Sequence, residues 1–407
     1  MISQDGKVQT SPRGSISYPY GAAAMTRRLA EIESKSHSRS LRKELAANMK
    51  QEFQQAFADL QLPESLEQKA SREGLTLYLS GGGFRGWGYL LMSQHRVSPY
   101  PIPIINGFHV MKREFHSTES IEDAAAEQAV FRVSKRRAKQ VPAVAFLVNV
   151  LVEALPMIKD IRFCQGGVRE GFLFDALDPK TKALDPLPVA TGHYGTDSAG
   201  AIAELLWSTL PGKTELDRHV PKSLNRSVIR ALADMMFVHS SLPKESTSLA
   251  GMYAPITGLL ASAHGVSHTD RALLALMLFA RWHEDLPPPH ESAQERIRAI
   301  LSVQEAFWCN YLGAVAALIG NAYPAGRIPV KRLQFSAKWS AGMGKNGMFE
   351  GVLLSITARK DDAMTSAGSI NSDIEKIEAV GKKKNRIGGR ENGYGVPVEV
   401  AINRNLA

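Results

Sequence analysis

Apolar residues recur along this chain with two periods, and the switches between them mark its elements. The first twenty residues alternate in short runs, "ISQ", "KVQT" and "GSISYPY", around a polar Asp5-Gly6 pair, which predicts a hairpin. From Gly21 to about Leu60 the period lengthens: Leu29, Ile32, Leu41, Leu45, Phe53 and Phe57 fall on helical faces, interrupted by "SKSHSRS". "GLTLYLS" (74–80) returns to alternation and ends in three glycines, so it reads as a strand. "VPAVAFLVNVLVEAL" (141–155) reads as a strongly apolar helix, begun by Pro142 near its first turn. The short strand "IRFCQ" (161–165) follows and stops at Gly166-Gly167, before an apolar-periodic helix in "VREGFLFDAL".

Strands alternating with helices indicate an α/β layer architecture for this part of the chain. After about residue 180 the pattern changes. "LDPKTKALDPLP" is a Pro-bearing linker, and Ser198 to Leu318 is helical almost throughout. "VKRLQFSAKW" and "MFEGVLLSITAR" then form a candidate strand pair, with a last strand at Val396–Ile402 in an otherwise polar, partly mobile tail. The expected divisions are an α/β domain over 1–185, a helical domain over 190–325 and a small strand-containing region over 326–407.

Composition narrows the class. The 407 residues are 44% hydrophobic and 22% charged, as in ordinary globular chains, and no uninterrupted apolar run is long enough for a membrane span. Cys164 and Cys309 are too few for a disulfide framework or a zinc site, and no apolar leader is visible, so a cytoplasmic location is expected. The net charge of +9 gathers in 36–43, 132–140 and 381–390. Basic runs attract polyphosphate, nucleic acid or anionic lipid, but solvated helix faces and a mobile tail account for these more simply, and none is interleaved with the aromatics that stack on bases, which disfavours nucleic acid.

The candidate chemistry lies in the two glycine turns. Gly81, Gly82 and Gly83 follow one strand and Gly166 and Gly167 the other; Arg85 and Arg169 each stand two residues past the run, and Glu170 comes next. Bare backbone at the start of a helix favours an anion, through free N–H groups and the helix dipole. The same glycines would also serve tight packing alone. Neither turn is a P-loop, and "GGGFRGWG" lacks the downstream acidic residue of a dinucleotide fingerprint, since 101–108 reads "PIPIINGF". The histidines 239, 264, 268, 283 and 290 lie near Asp270 and Glu284, yet no His-Asp dipeptide occurs; a helix cap at Thr269 or Ser267, with Asp270 in the first turn, explains the stretch better than a metal site.

Taken in order, "GSISYPYGAAAMTRRL", "YLSGGGFRGWG", "IINGFHV", "RRAKQVPAVAFLVNVL" and "IRFCQGGVREGFLFDAL" resemble the exopolyphosphatase and guanosine-pentaphosphatase (Ppx/GppA) family, and within it the fungal retrograde regulation branch. The resemblance is strongest over 1–180. It implies an incomplete RNase H-like, actin-like ATPase domain, followed by an HD-like helical domain without the His-Asp pair. It also implies that Gly81, Gly82, Gly83, Arg85, Gly166, Gly167, Arg169 and Glu170 line one side of a phosphate cleft. The family's first domain, with its catalytic glutamate and opposing phosphate loop, has no counterpart in the chain, so no catalytic residue is assigned. The expected role is regulatory, relaying mitochondrial status to the nucleus by binding ATP or polyphosphate and cytoplasmic signalling proteins. No cofactor is expected in this chain, and magnesium would be needed if the full-length protein is active. The alternatives are an exopolyphosphatase or nucleotide phosphohydrolase completed by that first domain, and a basic helical protein that binds nucleic acid.

Overall fold

A computed structural model describes residues 14–127, 132–282, 286–344, 347–359, 367–388 and 393–406. It is a mixed α/β structure, with many helices and, among the described residues, two small sheets. Most of the expected hairpin, residues 1–13, lies outside the described residues. The chain divides into two compact units, one running to Leu184 apart from Pro101–Pro103, the other from Asp185 onward with those three residues.

The first unit opens with α1 (Ala22–Glu33), α2 (Ser38–Asp59) and α3 (Glu64–Arg72). Strand β1 (Leu75–Leu79) leads into α4 (Gly82–Ser93); β2 (His109–Met111), α5 (Lys112–Phe115), α6 (Thr118–Glu127) and α7 (Lys135–Ala138) follow. Then come α8 (Val141–Ala154), β3 (Ile158–Phe163), α9 (Val168–Asp175) and α10 (Pro179–Lys182). The sheet order is β1-β3-β2, with β1 parallel and β2 antiparallel to β3. Two neighbouring parallel strands need a crossover, and the helices between β1 and β3 supply it. The strongly apolar character of α8 has a direct cause. Ala143, Phe146, Leu147 and Val150 pack with Met25, Leu29 and Met49 of α1 and α2, while Val144, Ala145 and Val148 join Trp87, Phe115 and Phe163 in the sheet core. A helix shared by two clusters has little face left for polar residues: Asn149 is half-buried against Thr118, and Glu153 is exposed and pairs with Lys50.

The second unit begins with α11 (Pro186–Thr191), α12 (Ala199–Trp207), α13 (Lys213–His219), α14 (Arg226–Met235) and α15 (Lys244–Tyr253). Its centre is α16 (His268–Trp282), α17 (Pro288–Ile300) and α18 (Val303–Ala322). A Cβ on Gly313 of α18 would lie 2.4 Å from the Ala280 Cβ and 2.8 Å from the Met277 carbonyl, so α16 and α18 meet at backbone distance. Strands β4 (Leu333–Met343) and β5 (Phe349–Arg359) pair antiparallel, as their alternation predicts. After β5, α19 (Ala367–Val380) crosses over and β6 (Val398–Leu406) pairs parallel to β5. The last forty residues, read from the sequence as polar and partly mobile apart from one strand, thus hold most of α19 and all of β6, which complete the sheet on β5.

One buried hydroxyl ties the helices to the sheet. Tyr323, 1% exposed, accepts the N–H groups of Arg332 at 2.7 Å and Leu333 at 3.2 Å where β4 begins. Replacing it with phenylalanine leaves those donors without this acceptor. Tyr323→Phe should cost about 1–3 kcal/mol in denaturant unfolding, and a change below a few tenths would show that water replaces the hydroxyl.

Candidate functional site

The site is built by register. Leu79 of β1 lies opposite Phe163 of β3, and the Cys164 N–H donates to the Leu79 carbonyl at 2.8 Å, so both chains leave the sheet side by side at the same end. Each then passes through a glycine with positive φ, +101° at Gly81 and +124° at Gly166, a conformation that side chains rarely adopt. Each enters a helix at once: the Arg85 N–H donates to Gly81 O at 2.9 Å and the Gly171 N–H to Gly167 O at 3.0 Å. The N-termini of α4 and α9 therefore rise from adjacent parallel strands. Opening N–H groups have no acceptor within their own helix, and the end of a parallel sheet is where α/β proteins hold ligands.

The glycines divide by role. A Cβ on Gly81, Gly82 or Gly171 would meet nothing within 4 Å, so bare backbone there faces open space. Gly83 differs, because a Cβ on it would come within 3.0 Å of the Ala22 Cβ and 3.3 Å of Val144; its bareness lets α4 pack on α1 and α8. Glu170 accepts the Gly167 N–H at 2.7 Å and so fixes the start of α9. Arg169 is exposed. Arg85 is half-buried, and its Nε is a buried donor with no partner among the described residues. A buried unpaired guanidinium N–H is costly and invites an acceptor. Behind α4, beside Gly82, Gly83, Gly86 and Arg137, a cavity of about 10 Å³ has room for a single water at most.

Asn106 was missed by the sequence reading. It is 5% exposed, and its side-chain oxygen accepts the Gln165 N–H at 3.3 Å, bracing the second turn from the loop before β2. Its signal was the Asn-Gly pair in "IINGF". Cys164, at the end of β3, is half-buried, and burial pushes its thiol above the usual range, which disfavours the reactive thiolate. The helix after the second turn holds a surprise: Val168, Phe172 and Leu173 are 92%, 74% and 65% exposed, so the apolar stripe of α9 covers no core.

In the second unit, Ser267 and Asp270 bond reciprocally, the Asp270 N–H to the Ser267 hydroxyl at 3.0 Å and the Ser267 N–H to the Asp270 carboxylate at 3.2 Å. That is a capping box at the start of α16. Among the described residues no three His, Cys, Asp or Glu side chains gather to hold a metal ion; His283 and Glu284 lie outside them. No described helix is long and apolar enough to cross a membrane.

Comparison with known proteins adds two findings. The chain matches the Ppx/GppA phosphatase family over residues 7–180 and the RTG2 C-terminal domain over residues 185–405. Retrograde regulation protein 2 of Saccharomyces cerevisiae (strain ATCC 204508 / S288c) is 31% identical over 345 residues, which cover 81% of this chain and 56% of that protein. The chain thus spans little more than half the length of this curated relative.

Proposed function

We propose, given that this chain belongs to the family joining a Ppx/GppA phosphatase-family domain to an RTG2 C-terminal domain, that it is a regulatory protein of the retrograde-regulation type that senses a phosphorylated ligand. In this reading the first unit is an RNase H-like, actin-like wall of a phosphate cleft, the helices of the second unit form an HD-like domain without its metal dyad, and the protein works in the cytoplasm. One observation carries the ligand assignment: two positive-φ glycine turns start two helices from neighbouring parallel strands, beside the unpartnered Nε of Arg85. Backbone N–H groups with an adjacent guanidinium suit the oxygens of ATP or polyphosphate.

The role favoured is binding rather than hydrolysis. Hydrolysis of a terminal phosphoryl group needs a group to orient or deprotonate water and charge neutralisation around the transferred group. At these turns the one carboxylate named is Glu170, already holding the Gly167 N–H. Magnesium wants several oxygen ligands in octahedral array. Glycine backbone, two arginines and one engaged carboxylate do not fit it, and no hydrolytic step is assigned to these residues. A protein partner would read ligand occupancy on α9, whose exposed Phe172 and Leu173 stand one to two turns from the cradle.

The test is calorimetric titration of the full chain with ATP and with polyphosphate, alongside phosphate release with magnesium. Arg85→Met should weaken binding about tenfold, the lower range for a charge-assisted hydrogen bond, and phosphate release should stay at background. Unchanged affinity in the variant would remove Arg85 from the site; robust turnover by the unmodified chain would overturn the regulatory reading.

A further inference from the structure

A cleft of about 780 Å³ opens inside the second unit, in the segment matching the RTG2 C-terminal domain. Its lining is drawn from α16, α17, α18 and α19 and from the basic stretch after α19. Arg298, Lys376, Lys384 and Arg386 bring positive charge to it, and among the described residues no aspartate or glutamate lines it. The apolar part of the lining includes Phe279 of α16, Val380 of α19 and Ile387, with the buried Phe307 of α18 behind them. Asn310 and Asn385 add neutral hydrogen-bonding groups.

The basic stretch is held in place. Ile387 and Tyr394 exchange backbone hydrogen bonds of 3.0 and 2.9 Å, and the Tyr394 ring packs edge-on against Phe307 at 5.4 Å. The Asn385 amide donates to the Ala379 carbonyl at 2.7 Å, tying the turn at Lys383–Asn385 to the end of α19. Local sequence reads "GKKKNRIG" as part of a solvated tail; packing turns it into one wall of a cavity.

Such convergence of cations is unfavourable by itself. Arg298 has one distant pairing, 4.0 Å from Glu295, and Lys376, Lys384 and Arg386 form no ion pair among the described residues. Like charges gathered in a concave, partly apolar cleft focus a positive potential, which a multiply charged anion relieves. The charged lining calls for phosphates, and the apolar lining beside it calls for a flat hydrophobic group. A cavity of this size suits a small-molecule ligand carrying both.

We propose that this cleft is a nucleotide site, taking a nucleoside polyphosphate with its phosphates on Arg298, Lys376, Lys384 and Arg386 and its base against Phe279 and Val380. It is a second ligand site, in the other unit from the glycine turns, so the protein would report on two phosphorylated species. Neither site needs the other for its recognition chemistry.

The experiment uses the full chain carrying Arg85→Met, to weaken binding at the glycine turns, and titrates it with magnesium-free ATP and with tripolyphosphate. ATP should bind, and adding Lys376→Glu with Arg386→Glu should weaken it at least about tenfold, as expected for losing charge-assisted contacts worth 1.4 kcal/mol or more. Phe279→Ala should weaken ATP several-fold and leave tripolyphosphate unchanged. An unshifted unfolding midpoint confirms that each variant is folded; if the charge reversals unfold the unit, Lys384→Gln, at an exposed position, is the substitute and should weaken ATP measurably. ATP affinity indifferent to all these changes overturns the proposal. So does tripolyphosphate binding as tightly as ATP, which would make this an inorganic-anion site, or an acidic peptide binding where ATP does not.

Discussion

Arg271→Met should destabilise the second unit by about 3–5 kcal/mol, since three carbonyls lose a charged donor at about 1–3 kcal/mol each, partly offset by relief of the cost of burying the guanidinium. Arg271 is fully buried near the start of α16. Its Nη1 donates to the carbonyls of Pro255 at 2.7 Å and Leu260 at 2.6 Å, and its Nη2 to that of Ala263 at 2.8 Å. These carbonyls belong to the irregular segment between α15 and α16, where the backbone has no helix to satisfy it. The guanidinium stands in for that missing structure, and its planar fork reaches several acceptors at once. Methionine preserves most of the side-chain volume, so the loss measures the hydrogen bonds and not a cavity. Arg271→Lys, with a single point charge, should fall between. Urea unfolding followed by circular dichroism checks both, and a methionine variant within 1 kcal/mol of the parent would mean that water replaces the guanidinium.

Gly81→Ala should lower affinity for ATP or polyphosphate at the glycine turns about ten- to hundredfold. The φ of +101° and ψ of 164° at Gly81 belong to a region nearly exclusive to glycine, where a side chain costs about 1–3 kcal/mol. Since a Cβ there would touch nothing within 4 Å, the penalty is purely conformational. The turn would relax out of the binding geometry and carry the first N–H groups of α4 with it. Gly82→Ala is the matched control: it also faces open space but sits inside the helix, where alanine is favoured. Calorimetric titration of the two variants separates the ideas. If both lose affinity equally, crowding of the ligand is the cause; if neither does, the first turn takes no part in binding.

The glycine turns were legible as local features, because a strand that ends in glycine and restarts as a helix leaves its mark on residue type and period. Their separate duties were not. Gly81, Gly82 and Gly83 look alike in sequence, yet Gly83 is bare to admit Ala22 and Val144, from segments about sixty residues away on either side. The apolar period of "VREGFLFDAL" predicts α9 correctly, while the core contact that such a period ordinarily implies is absent. Periodicity reports which face is apolar, not what lies against it.

Residue order by itself determined β1, the strongly apolar α8, β3 and α9, the helical run after Ser198 and the β4–β5 pair, since each rests on spacing within a few turns. Only the tertiary structure decided that β1 and β3 are neighbours, which brings the two turns together across more than eighty residues. It alone drew Arg298, Lys376, Lys384 and Arg386 into one cleft and buried Arg271 against three carbonyls. Hydrophobic pattern and backbone preference act between near neighbours along the chain, whereas charge convergence and polar satisfaction depend on which distant segments packing brings together.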